Sequence, residues 1–328
     1  MTGLKTLVIT GGTSGIGAAT VKFAAQRGYQ VVYSGSRMID GVPDELRTLH
    51  SPTIHYVKAD VKKKDEILRL WDTTLRLFPN GLGRVSVVAC AGIAKRGSPE
   101  VVEEMRQTNV QGTQFLYEIF APIVEDLVYN NCFVGVSSIV AAEGKPVQGD
   151  KEYQKTKQEI LDFVRQKPQS FALVPGAVDT PMTNKEMIFG LLLCGLISRL
   201  NGEAGLRAGL ATYMGGEDKL GNTPTDILRN IVGEDFFNSN AFAEGREWLS
   251  KFPALNKNRV WPFLAKPMTE DDNIRRKVID TLIAVDLAVT PEEVASRFLD
   301  QLDSGQTPEN LMLKVYSRSG DDLAGKLL

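Results

Sequence analysis

The chain opens on an apolar run, "LKTLVIT" at Leu4–Thr10, and similar runs recur through its first half. They are "QVVYSG" (Gln30–Gly35), "IHYVKAD" (Ile54–Asp60), "VSVVACAG" (Val85–Gly92), "CFVGVSS" (Cys132–Ser138) and "SFALVPG" (Ser170–Gly176). Continuous rather than alternating apolar character marks strands covered on both faces. Helical spacing fills the gaps between them. "AATVKFAAQRG" predicts a helix ending at Gly28, and a short helix is expected around Asp44–Leu49. "KKDEILRLWDTTLRLF" places Ile67, Leu68, Trp71, Leu75 and Phe78 on one face. Residues 99–127 predict a long helix, bent near Gly112. The helix that begins near Tyr153 must stop near Lys167–Pro168, because proline lacks the N–H and clashes with the preceding turn. Strictly alternating strands and helices predict an α/β fold. Its core is a doubly wound, mostly parallel sheet with helices on both faces and right-handed crossovers.

Composition narrows the class. At 43% hydrophobic and 24% charged the chain is ordinary globular protein, and a net charge of −2 gives no footprint for nucleic acid. Cys90, Cys132 and Cys194 are odd in number and widely spaced, so neither a disulfide framework nor a metal site is expected. His50 and His55 read as structural or surface residues. The N-terminus enters a strand directly, without a leader-like segment. The longest apolar run, Met187–Ile197, is shorter than a membrane span. A cytoplasmic protein without a transmembrane segment is the expectation.

The first strand ends in "TGGTSGIG", Thr10–Gly17, and opens into a helix. Gly11, Gly15 and Gly17 suit a tight strand-to-helix turn, and the N–H groups at a helix start suit a pyrophosphate. In this position the pattern predicts nucleotide binding. Further on, "EYQKTK" sets Tyr153 and Lys157 four residues apart, on one helix face. An ammonium beside a phenol stabilises the phenolate, which brings a tyrosine closer to service as an acid–base group.

Together these motifs resemble the short-chain dehydrogenase/reductase family, whose fold is the Rossmann type. Thr-Gly-x-x-x-Gly-x-Gly at 10–17 is similar to its cofactor loop, "ADV" at 59–61 to its adenine segment, and "TNVQGT" to the helix carrying its catalytic asparagine. "GVSS", "YQKTK" and "PGAVDT" at 175–180 follow in the family's order. The resemblance covers roughly residues 4–182 and resumes at Thr290–Leu302. It implies catalytic roles for Asn109, Ser138, Tyr153 and Lys157. Ser137 stays a rival to Ser138, because the gap to Tyr153 is longer than the family usually shows. For the cofactor it implies Gly11, Thr13, Ser14, Gly15, Ile16, Gly17, Asp60, Val61, Ala91, Gly92, Pro175, Gly176, Val178 and Thr180, with Tyr153 and Lys157. The second strand ends "YSGSR", with Gly35 and Ser36 where NAD-preferring enzymes place a carboxylate and Arg37 next, so NADP(H) is favoured over NAD, the alternative for Arg37 being a solvated helix-start residue. The family's Asn-Asn-Ala-Gly is here Ala89-Cys90-Ala91-Gly92. Family members usually pack the tyrosine helix against its copy, so a homo-oligomer stays an open expectation.

The implied activity is an NAD(P)(H)-dependent oxidoreductase acting on a carbonyl or secondary alcohol of an apolar small molecule. The alternatives are a non-redox enzyme on the same fold, or a nucleotide sensor without catalysis. Residues 1–182 are expected to form the cofactor and catalytic core, and 290–328 to return to it. Residues 183–289 exceed the family's usual length. They hold Met187–Leu200, apolar nearly all round, and seven aromatics within residues 236–263. Three readings stay open: a subdomain with its own core, a lid over an apolar substrate, or a protein or membrane contact.

Overall fold

A computed structural model describes residues 3–95, 97–126, 128–142, 151–182, 204–251, 257–285 and 288–315. The expected runs form strands with ends shifted by at most a few residues: β1 Lys5–Thr10, β2 Gln30–Gly35, β3 Ile54–Lys58, β4 Arg84–Ala89, β5 Cys132–Val136 and β6 Ser170–Pro175. β7, Met312–Val315, completes a seven-stranded sheet in the order β3-β2-β1-β4-β5-β6-β7. Every neighbouring pair is parallel. β6 is buried along its whole length, as a strand sandwiched between helical layers must be. The strand order reverses between β1 and β4, and a crevice beyond the carboxyl ends of strands at such a reversal is where α/β sheets bind ligands.

The helices of this part are α1 Gly15–Gln26, α2 Asp44–Arg47, α3 Lys64–Leu77, α4 Pro99–Arg106, α5 Gly112–Val124, α6 Ile139–Ala142 and α7 Lys151–Arg165. One expectation needs correction. On α3 the buried face is Glu66, Ile67, Leu70 and Thr74, whereas Leu68 and Leu75 are about half exposed. Spacing of three and four through 67, 70, 71, 74 and 78 makes a narrower stripe than the apolar residues alone suggest, and Leu68 and Leu75 fall on its solvent flank. Near the expected bend, Gln111 and Gly112 keep right-handed helical angles. What interrupts the run is a π-helical turn at Gln107–Gln111, and Asn109 lies inside it.

The described chain divides into two compact units. The first is Met1–Gly176 with Pro291–Val315, and the second takes in Ala177–Thr290. In the second, α8 Ala204–Met214, α9 Pro224–Val232 and α10 Asp272–Ala284 surround an apolar core of their own, with Leu210, Leu228, Phe242, Met268 and Leu282 almost fully buried. At its neck Ala177–Asp179 pairs with Val289: Val289 N–H donates to Ala177 O (2.9 Å) and Asp179 N–H to Val289 O (3.0 Å). Met187–Leu200, which bears the lid reading, lies outside the described residues. The chain then re-enters the first unit as α11, Pro291–Ser304, which packs on α1. Val294, Phe298 and Leu299 are fully buried there, at roughly 1.5–3 kcal/mol for each large side chain. Asp303 on the same helix accepts from Lys5 Nζ (2.7 Å) and Tyr29 Oη (2.6 Å), which fastens α11 to the opening of the sheet. Among the described residues no helix is long and apolar enough to cross a membrane.

Candidate active site

Gly11 follows β1 with φ +68°, and a Cβ there would lie 2.6 Å from the Ala91 Cα. The loops after β1 and β4 therefore touch, and the contact requires a residue without a side chain. Gly17 is under a second constraint, because its Cβ would overlap the Gly11 carbonyl oxygen. Ser14 is the N-cap of α1 but makes no side-chain capping bond, and no acidic residue stands in the first turn. The positive end of this helix is thus not neutralised by its own residues, and Thr13, Ser14, Gly15 and Ile16 lie at least partly open around it. A loop tightened by glycine on a helix start, free of internal carboxylates, fits a pyrophosphate.

Ser36 and Arg37 follow β2 and are both exposed. Beyond β3, Asp60 is partly exposed and Val61 buried. Two residues that the sequence reading missed hold this pair. Glu66, almost wholly buried, accepts the Asp60 N–H (2.8 Å), a bond that holds its carboxyl below the usual range. Gly112 lets α5 close on the loop, since a Cβ there would lie 2.8 Å from the Val61 Cβ.

The third cluster joins β4, β5, the π-turn and α7. Asn109 is fully buried and its amide is committed on both sides. Nδ2 donates to Ile93 O (2.9 Å) and Thr156 Oγ1 (3.2 Å), while Oδ1 accepts the Ile93 N–H (2.8 Å). Thr156 in turn donates to Tyr153 O (2.8 Å). Lys157 is 5% exposed; its Nζ donates to Val136 O (2.9 Å) and lies 5.6 Å from the centre of the Tyr153 ring. Glycine at 92 keeps a gap open between these groups: a Cβ there would sit 3.3 Å from Lys157 Nζ and 3.4 Å from Asn109 Oδ1. Ser137 Oγ donates to the Lys157 carbonyl (2.8 Å) and is buried. Ser138, 8% exposed, starts α6, where its carbonyl accepts from Ala141 and Ala142. Gln154 on α7 reaches back to Val140 O (2.7 Å), which ties the serine turn to the tyrosine helix. Pro175 ends β6 and the Gly176 N–H donates to Val315 O (3.0 Å). Val178, buried, and Thr180, partly exposed, belong to the second unit.

Burial lowers the Lys157 ammonium from its ordinary 10.5 to about 8; the Cys90 thiol opposes the shift. Cys90, where the family has asparagine, is itself pushed up to about 11 by enclosure. Between pH 8 and 10.5 the unfolded chain therefore holds the Lys157 proton more firmly than the folded one, so this lysine makes stability rise with pH across that window. The difference in melting temperature between wild type and Lys157→Met is expected to move in favour of wild type from pH 7.5 to 9.5. A pH-independent difference would refute the lowered value.

The sites thus form two groups within the first unit: the glycine loop with the Asn109–Tyr153–Lys157 cluster, and the ends of β2 and β3. A family model described as short chain dehydrogenase matches residues 5–187, more than half the chain. The chain belongs to the short-chain dehydrogenase family. It is an NAD(P)-dependent oxidoreductase. This short-chain dehydrogenase is similar to a 2,5-dichloro-2,5-cyclohexadiene-1,4-diol dehydrogenase of Sphingobium indicum. The two are 30% identical over 200 residues, covering 56% of this chain and 76% of the relative. A 3-oxoacyl-[acyl-carrier-protein] reductase of Thermotoga maritima is 27% identical over 197 residues, covering 55% and 77%. Among solved structures, a glucose/ribitol dehydrogenase of the same type from Brucella melitensis superposes with a TM-score of 0.51 at 23% identity, covering 60% of this chain and 82% of that one. That last likeness concerns the fold.

Proposed function

We propose that this short-chain dehydrogenase interconverts a carbonyl and a secondary alcohol on an apolar small molecule, with NADP(H) favoured over NAD(H). The observation that carries the reading is the buried Lys157 ammonium, held by the Val136 carbonyl beside the Tyr153 ring and facing the gap that Gly92 keeps open. When bound, the nicotinamide supplies or accepts the hydride. The chain's own residues manage the proton and the orientation. Tyr153 Oη gives a proton to the substrate oxygen in reduction and takes it in oxidation, and Lys157 stabilises the phenolate that results. Ser138 donates to the same substrate oxygen. The spent hydroxyl of Ser137, already bonded to the Lys157 carbonyl, supports Ser138 over Ser137 for this role. Asn109 fixes the π-turn against Ile93 and, through Thr156, the tyrosine turn of α7. The relatives named for a cyclohexadienediol and for a 3-oxoacyl chain support ring ketones and 3-oxoacyl thioesters as the first substrates to test.

The cofactor preference rests on the exposed Ser36 and Arg37 at a strand end without a carboxylate. A guanidinium binds a 2′-phosphate through paired, charge-assisted hydrogen bonds. Arg37→Ala is expected to weaken NADPH binding by about 10-fold or more, as the loss of a hydrogen bond to a charged group implies, with NADH binding little changed. Fluorescence titration of the two reduced cofactors measures this directly. Tighter NADH than NADPH binding in wild type would refute the preference.

A further inference from the structure

Resting on the reading of Arg37 as the 2′-phosphate ligand, we propose that Tyr56 is the residue that positions Arg37, and that it thereby sets the choice between NADPH and NADH. Tyr56 sits on β3 directly opposite Tyr33 of β2. Its ring packs against that of Tyr33, with centroids 5.3 Å apart. Its hydroxyl reaches two backbone carbonyls of the turn after β2: Gly35 O at 3.0 Å and Arg37 O. A hydroxyl has one hydrogen to give. Of the two contacts the one to Arg37 O is the shorter, so the weight of the Tyr56 bond falls on Arg37. The side chain of Arg37 is guided from a second direction. A Cβ on Gly41 would lie 3.3 Å from the Arg37 Cβ, so the stem of the arginine runs across a bare stretch of backbone. Thr13 of the glycine loop and the Tyr56 hydroxyl both crowd Gly35, where an added Cβ would lie 3.0 Å and 3.6 Å from them. Tyr56 thus holds the backbone of Arg37 in register with the glycine loop, and Gly41 leaves room for its stem.

This arrangement makes Tyr56 a positioning residue with a signature that a mere sheet brace lacks. A brace would affect both cofactors alike. A tyrosine that aims one guanidinium affects only the cofactor with a phosphate for it to bind. The test is titration of wild type, Tyr56→Phe and Gly41→Ala with NADPH and NADH, read by the fluorescence of the reduced nicotinamide. No substrate is required. Thermal unfolding of each variant runs alongside. Tyr56→Phe keeps the ring stack and removes the hydroxyl. It is expected to weaken NADPH binding by about 3- to 10-fold, the range for one lost hydrogen bond, and to leave NADH binding within about 2-fold. Gly41→Ala, which crowds the arginine stem from the other side, is expected to shift the ratio in the same direction. Equal weakening of both cofactors, or an unchanged ratio in both variants, overturns the inference. Should Tyr56→Phe fail to fold, the same two titrations of Tyr56→Leu, which also lacks the hydroxyl, decide it. A wild-type preference for NADH would instead sink the parent reading of Arg37, and the role of Tyr56 with it, so the two failures are told apart by the wild-type measurement.

Discussion

Replacing Tyr153 by phenylalanine is expected to lower kcat by about 10²-fold or more, the lower part of the range for a general acid. The ring and the fold should survive. Thr156 bonds the Tyr153 carbonyl and Gln154 bonds Val140, and neither bond involves the hydroxyl that is removed. Lys157 keeps its bond to Val136 O, so the buried ammonium is not orphaned by the change. NADPH binding is therefore expected to stay within a few-fold of wild type while turnover of a ring ketone collapses. Steady-state kinetics together with a cofactor titration give the two readings. Turnover near the wild-type rate would show that the substrate proton comes from another group.

Gly17→Ala is expected to have the second large effect, and on a different quantity. The added methyl would overlap the Gly11 carbonyl oxygen and lie 2.9 Å from its carbon. Relief by moving Gly11 is blocked, since that residue is already pressed against the Ala91 backbone. Overpacking of this kind costs about 1–3 kcal/mol. The first turn of α1 and the phosphate loop must separate, which spoils the alignment of N–H groups toward the pyrophosphate. A melting temperature several degrees lower and a loss of more than about 10-fold in NADPH affinity are expected, because both the loop and the helix start contribute. Thermal unfolding with and without NADPH checks both at once. A variant that binds NADPH as wild type does would mean that the loop yields without cost.

Much of this was legible in the chain. Apolar runs without alternation located six strands, since a strand buried on both faces has no polar side to show. Glycine spacing gave the tight loop between β1 and α1, because only the smallest residue permits the approaches at Gly11 and Gly17. What stayed hidden involves hydrogen bonds between a side chain and the backbone of a different loop or strand, which no periodic pattern marks. The clasp of Glu66 on Asp60, the bond from Tyr56 to Arg37 and the Val136 carbonyl under Lys157 all depend on how separate loops meet. The face of α3 was misjudged because Leu68 and Leu75 are apolar yet lie on its solvent side. The π-turn around Asn109 leaves no mark in apolar spacing; a glycine invites the guess of a bend, whereas Gly112 serves close packing on Val61.

The neck at Ala177–Asp179 and Val289 carries a consequence for how such a chain can change over time. The excursion through the second unit leaves and returns at residues already hydrogen-bonded to each other. Only a short connection is needed to carry the chain from β6 to α11, and the material between the two sides of the neck can grow, shrink or be exchanged without altering the pairing of Ala172 with Met312 in the sheet. The excursion is in this sense a cassette clipped at its ends, and variation in its length and sequence can accumulate there while the glycine loop and the Tyr153–Lys157 turn keep their register.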